Sequence, residues 1–106
     1  MLENVFIRYK KFSPSYQHKI ILQHAMSAVQ DIAPTDASIR VLLEETKNGY
    51  DGCIRISSSS GYFFAKSNAS SLSALCFDLQ YKIVRQLERW RELRYSSEQR
   101  DFRRAN

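Results

Sequence analysis

The side chains able to do chemistry are few, and their spacing points away from catalysis. The two histidines, His18 and His24, stand six positions apart, which on a helix puts them on different faces with no third histidine to join them. A solvated helix histidine is the ordinary reading of either. Cys53 and Cys76 are isolated residues, and Cys76, lying in an apolar stripe, reads as a small buried hydrophobe. The sequence has no glycine-rich phosphate loop, no His-Glu-x-x-His and no cysteine pair at metal spacing. No catalytic residue, metal ligand, cofactor or small-molecule substrate is expected. Asn68-Ala69-Ser70 fits a glycosylation sequon, a match without consequence unless the chain is secreted.

Anion binding is the chemistry the sequence does support. From Lys82 onward stand Lys82, Arg85, Arg89, Arg91, Arg94, Arg100, Arg103 and Arg104, eight cations against Glu88, Glu92, Glu98 and Asp101, four carboxylates. That surplus accounts for nearly all of the chain's net charge of +5. Lys82, Arg85 and Arg89 step by three and four and therefore share a helix face, with Arg91 and Arg94 continuing its positive end. Arginine on a rigid helix suits bidentate phosphate contact. The plainer reading is a solvated face, in which arginines near the C-terminus complement the helix dipole and Arg85 pairs with Glu88 or Glu92.

These cations need a scaffold, and the composition allows one. The chain has 106 residues, 43% of them hydrophobic, with 3 Gly and 2 Pro. That is a single globular domain, too apolar for disorder and too small for a two-domain enzyme. Two cysteines cannot build the disulfide framework of a small secreted domain. No apolar run approaches the roughly 20 residues of a membrane span, and the N-terminus does not read as a secretory signal. The cytoplasm is the expected compartment, and no membrane is expected as a partner.

Residues 4–10 alternate as a strand, with Val5, Ile7 and Tyr9 against Phe6, Arg8 and Lys10. Ser13-Pro14 supplies a helix start, and Ile21, Ala25, Val29 and Ile32 set an apolar face that ends before Pro34. Residues 38–45 resume alternation through Ile39, Val41 and Leu43. Asn48-Gly49-Tyr50-Asp51-Gly52 reads as a turn cluster, residues 53–58 as a third strand and Ser59-Ser60-Gly61 as a tight hairpin. Residues 62–67 form the fourth strand. Leu72, Cys76, Leu79, Ile83, Leu87 and Trp90 then mark a helix to about Tyr95. Residues 1–95 are thus one domain, and residues 96–106 are expected as a basic, flexible tail.

The order β-α-β-β-β-α implies an α+β sandwich of two layers: a four-stranded mixed sheet with two helices on one face. The other sheet face is left open. Phe6, Arg8, Lys10, Arg40, Leu42, Arg55, Tyr62, Phe64 and Lys66 fall there. Aromatic and basic residues interleaved on an open sheet can stack on bases and hold phosphates. The competing reading is a protein interface, since Phe6, Leu42, Tyr62 and Phe64 also make an apolar patch through which the chain would form a homodimer or hold another protein. A double-stranded RNA binder is a third reading, because such domains also carry two helices on one sheet face.

Gly61 precedes an alternating strand and then a long helix containing Lys82-Ile83-Val84-Arg85-Gln86-Leu87. This stretch resembles the ribosome hibernation promoting factors, the small bacterial proteins that include ribosome-associated inhibitor A. Their helix typically carries Tyr-x-Ala-Ile-Asp and then Lys-Leu-x-Arg-Gln-Leu. The second part is closely matched here. The first departs: Ser73 stands where Tyr is usual, Leu75-Cys76 where Ala-Ile is usual and Phe77 where Asp is usual, with Asp78 one position late.

The resemblance implies a protein of stress and stationary phase. It would bind the small ribosomal subunit and its 16S-type rRNA in the channel between head and body, overlapping the sites of messenger and transfer RNA. Lys82 and Arg85 match basic positions of the family helix. Arg89, Arg91 and Arg94 extend that basic end, and Lys10 and Lys11 follow the first strand, where the family also tends to be basic. Together with Arg8 on the open sheet, these eight residues are the expected RNA-binding set. Binding through phosphates would show weak sequence preference and strong salt dependence.

Overall fold

A computed structural model describes the backbone of residues 4–105 and the side chains of residues 4–93. The elements are β1 (Val5–Lys10), α1 (Tyr16–Ile32), β2 (Ser38–Thr46), β3 (Gly49–Ser58), β4 (Gly61–Ala69) and α2 (Leu72–Ala105). The sheet runs in the order β1-β2-β3-β4. β1 pairs parallel to β2, and β2-β3 and β3-β4 pair antiparallel. A parallel pair needs a long crossover, which α1 supplies, whereas the later pairs need only two-residue turns. This is the mixed-sheet α+β sandwich that the alternation and helical periods imply.

One face of β2, β3 and β4 is buried, and that of β1, Val5, Ile7 and Tyr9, is half-buried at the margin of the core. Ile39, Val41, Leu43, Ile54, Ile56, Phe63 and Ala65 point inward and meet Leu22, Ala25, Met26 and Val29 of α1 and Leu72, Leu75, Cys76, Leu79, Ile83 and Leu87 of α2 in a single core. Both helices therefore lie on the same side of the sheet. Phe63 meets Trp90 edge-on at 6.0 Å between ring centroids, closing the core toward the end of the buried part of α2.

Several boundaries differ from the sequence reading. α1 starts at Tyr16, not at Pro14, because Ser15 and His18 form a capping box. The His18 N–H donates to Ser15 Oγ at 3.1 Å and the Ser15 N–H donates to His18 Nδ1 at 3.3 Å. Two otherwise orphaned N–H groups are satisfied this way. The inward face of α1 is centred on Leu22 and Met26, with Ile21 and Ile32 only half-buried at its margin.

The turn between β2 and β3 is Lys47-Asn48 alone, since Thr46 already pairs with Gly49. Gly52 lies within β3, opposite Leu43. A Cβ there would stand 2.9 Å from Leu43 Cδ2 and 3.0 Å from both Leu75 Cδ2 and Leu79 Cδ1. The glycine serves close approach of α2 to the sheet rather than a turn. α2 also runs to Ala105, ten residues past Tyr95; residues 96–105 contain neither Gly nor Pro and several good helix formers, so nothing local stops it.

After β1, Lys11 takes a left-handed backbone conformation, φ 68°. The chain turns there and lays Phe12 against Tyr9 and Tyr50, with ring centroids 5.6 Å and 5.3 Å away. These edge-on aromatic contacts offset the cost of a positive φ at a residue with a Cβ.

Candidate nucleic-acid interface

α2 opens at Ser71, whose Oγ accepts from the Ala74 N–H at 3.2 Å and whose carbonyl accepts from the Leu75 N–H at 3.1 Å. With the inward stripe fixed by the core, Asp78, Lys82, Arg85 and Arg89 lie off that stripe, Asp78 and Lys82 on the flank beside β4. Lys82, Arg85 and Arg89 are exposed and share one face, as their spacing requires.

Their states differ. Lys82 Nζ lies 3.0 Å from Asp78 Oδ2 and also donates to the Lys66 carbonyl at 3.1 Å. The Ser67 hydroxyl donates to the same carboxylate oxygen. These bonds, first Ser67 and then Lys82, hold the Asp78 carboxyl below its ordinary pKa. Lys82 thus ties α2 to β4 as much as it presents charge. Arg85 lies over the Tyr81 ring, 5.7 Å from its centroid, and donates to the Tyr81 hydroxyl at 3.3 Å. Arg85, Gln86, Glu88, Arg89 and Glu92 line one shallow surface hollow. Among the described residues neither arginine is paired with a carboxylate, although Glu88 and Glu92 flank them.

Of the remaining expected RNA-binding residues, Arg91, Lys10, Lys11 and Arg8 do not join this face. Arg91 lies on another side of α2, in a hollow with Asp31, Asp36, Ser59 and Ser60. Asp36 Oδ2 accepts from the Ser59 N–H at 2.9 Å, and the Ser59 hydrogen bonds hold that carboxyl below its ordinary pKa. The side chain of Arg94 lies outside the described residues, as do those of the expected tail. Lys10 and Lys11 stand at the end of β1, 3.9 Å and 3.6 Å from the Glu44 carboxylate. Arg8 is on the open sheet face.

That face has an order the alternation alone did not give. Phe6 pairs with Arg40, Arg40 with Arg55 and Arg55 with Phe64, so one row crosses all four strands. The Arg40 guanidinium lies 5.8 Å from the Phe6 ring centroid and that of Arg55 lies 5.6 Å from Phe64. The next row is Arg8, Leu42, Cys53 and Lys66. The register was recoverable: once the turn is placed at Lys47-Asn48, counting back along both strands sets Arg40 against Arg55.

The histidines take no part in a reactive cluster. His18 caps α1, and His24 lines the groove between the helices with Ile20, Ile21, Cys76 and Phe77. Phe77, which stands where the resembled family has Asp, is 74% exposed. Burial pushes the Cys76 thiol up to about 11 and raises the Tyr9 phenol, the latter with a smaller contribution from Cys76. No group of three or more metal-type ligands occurs among the described residues, and no described helix is long and apolar enough to cross a membrane.

No family model and no curated protein matches the sequence. Solved structures do. The N-terminal domain of Protein Y from Thermus thermophilus superposes with a TM-score of 0.70 at 10% identity, over 82% of this chain and 98% of that one. This chain has its fold. A ribosomal subunit interface protein from Coxiella burnetii gives a TM-score of 0.70 at 12% identity, over 83% of this chain and 97% of that one. The fold implied by the hibernation-factor resemblance is therefore the fold observed.

Proposed function

We propose that the chain is a ribosome-associated translation inhibitor of the hibernation-factor type, acting without catalysis in the cytoplasm. It binds small-subunit rRNA and occupies the channel used by messenger and transfer RNA. The observation that carries the reading is the α2 face: Arg85 and Arg89 stand exposed and, among the described residues, free of carboxylate pairing on a rigid helix, in a fold shared with a ribosomal subunit interface protein. Backbone phosphates are the groups such arginines hold, which positions a wedge without reading sequence. Lys82 steadies the face through Asp78 and β4, and the mechanism is steric occupancy.

The test is Arg85→Glu/Arg89→Glu, two exposed substitutions that leave the core intact. The double variant is expected to remain folded and to leave the ribosome pellet on sedimentation. A folded double variant that pellets like the parent protein would contradict the reading.

The rival reading, a homodimer or protein-docking module through the sheet face, draws on Phe6, Tyr62 and Phe64, exposed by 58%, 69% and 42%. The Arg40–Arg55 pair at the centre of that face argues against a second copy packed on it, because four guanidinium groups would then be brought together.

A further inference from the structure

We infer that the open sheet face is a second, separate binding site, for single-stranded RNA, with phosphates on Arg40 and Arg55 and bases against the rings at the ends of their row. The inference does not depend on ribosome binding, since α1 and α2 cover the opposite face of the sheet.

Arg40 and Arg55 are direct cross-strand partners. Like charges so placed repel, and an arrangement of this kind is relieved by an anion between them. Among the described residues, Arg8, Arg40, Arg55 and Lys66 have no carboxylate partner. The two rows that contain them, Phe6-Arg40-Arg55-Phe64 and Arg8-Leu42-Cys53-Lys66, hold no acidic residue. Carboxylates enter only at the third row, Lys10-Glu44-Asp51-Asn68, where Glu44 is already engaged by Lys10 and Lys11 and Asp51 stands exposed at the far end of the face from the Phe6–Phe64 row. Phe6, Arg8, Arg40, Leu42, Cys53 and Arg55 line a shallow hollow of about 430 Å³.

The rings select the class of anion. Each guanidinium of the central pair lies against a phenyl ring, which restrains it while leaving in-plane N–H donors for phosphate oxygens. Phe6 and Phe64 stand on the two outer strands, about 14 Å apart at the usual strand spacing, and Tyr62 adds a third exposed ring on β4. Alternating phosphates and stackable bases fit such a surface. An acidic peptide would satisfy the arginines and bring nothing that stacks on the rings.

The probe is a short fluorescein-labelled oligouridylate, followed by fluorescence anisotropy across a salt series. The parent protein is expected to bind it at low salt. Arg40→Gln/Arg55→Gln is expected to weaken binding by about tenfold or more and to flatten the slope of log affinity against log salt by about 1.4, at about 0.7 per lost phosphate contact on a single strand. Both arginines are exposed, so thermal denaturation should show the double variant folded. Phe64→Leu is expected to weaken oligouridylate while sparing inorganic polyphosphate. Absence of binding by the parent, an unchanged Arg40→Gln/Arg55→Gln variant, or polyglutamate competing as well as RNA without regard to Phe64 would each overturn the inference. Loss of ribosome binding alone would contradict only the proposed function.

Discussion

Gln86 on α2 hydrogen-bonds both backbone groups of Phe64 on β4: its Nε2 donates to the Phe64 carbonyl at 2.6 Å, and its Oε1 accepts from the Phe64 N–H at 3.2 Å. β4 is an edge strand, and the side-chain amide stands in for the strand that is missing beside it. Lys82 does the same for the Lys66 carbonyl two residues on. An edge occupied in this way is closed to pairing with another chain. The motif residues Lys82 and Gln86 thus serve the fold, which leaves Arg85 and Arg89 as the cations of that face free for phosphate.

Gln86→Leu should unlock that edge. The Phe64 amide is expected to exchange its hydrogen faster, with a stability loss of about 0.5–1.5 kcal/mol for the exposed hydrogen bonds. Amide exchange followed by NMR checks it, and an unchanged Phe64 rate would show that the strand edge is protected by something other than the amide.

Gly52→Ala should destabilise by overpacking, by about 1–3 kcal/mol, because the new methyl would press on Leu43, Leu75 and Leu79. Adding Leu79→Val should recover part of the loss, a coupling that denaturant unfolding of the single and double variants measures. Strict additivity of the two would contradict the packing account.

The Asp78 clamp should be sensitive to acid. The Asp78 carboxyl is lowered from 3.8 by the Ser67 hydroxyl and Lys82. A lowered folded pKa contributes stability that is present above the unfolded value and lost as pH falls through the folded value. The parent protein should therefore exceed Asp78→Asn in thermal stability near neutrality, with the gap closing below about pH 3.8. A gap that persists far below that pH would mean that Asn fails for reasons other than charge.

Much of this architecture is legible in the sequence because one stripe per element carries it. Ile39, Val41 and Leu43 on β2 and Leu72, Cys76, Leu79, Ile83 and Leu87 on α2 are buried as their periods require. The misread places are those where local and tertiary causes share a residue type. Gly52 looks like a turn glycine, yet its cause is α2, distant in sequence. Pro14 looks like a helix start, yet the Ser15–His18 box sets it two residues later. The expected RNA-binding residues whose side chains are described also divide over several surfaces, because periodicity places a residue on a face of its own element and says nothing of what opposes it. Lys10 and Lys11 meet Glu44 through such tertiary placement, whereas Lys82 and Asp78 pair four residues apart within α2 and only their bonds to Lys66 and Ser67 of β4 are tertiary.

The central claim is ribosome binding through phosphates, and co-sedimentation with purified ribosomes and separated subunits across a salt series tests it most directly. The account predicts that the chain pellets with the small subunit at low salt and is released steeply as salt rises. A chain that stays in the supernatant with both subunits even at low salt would contradict it.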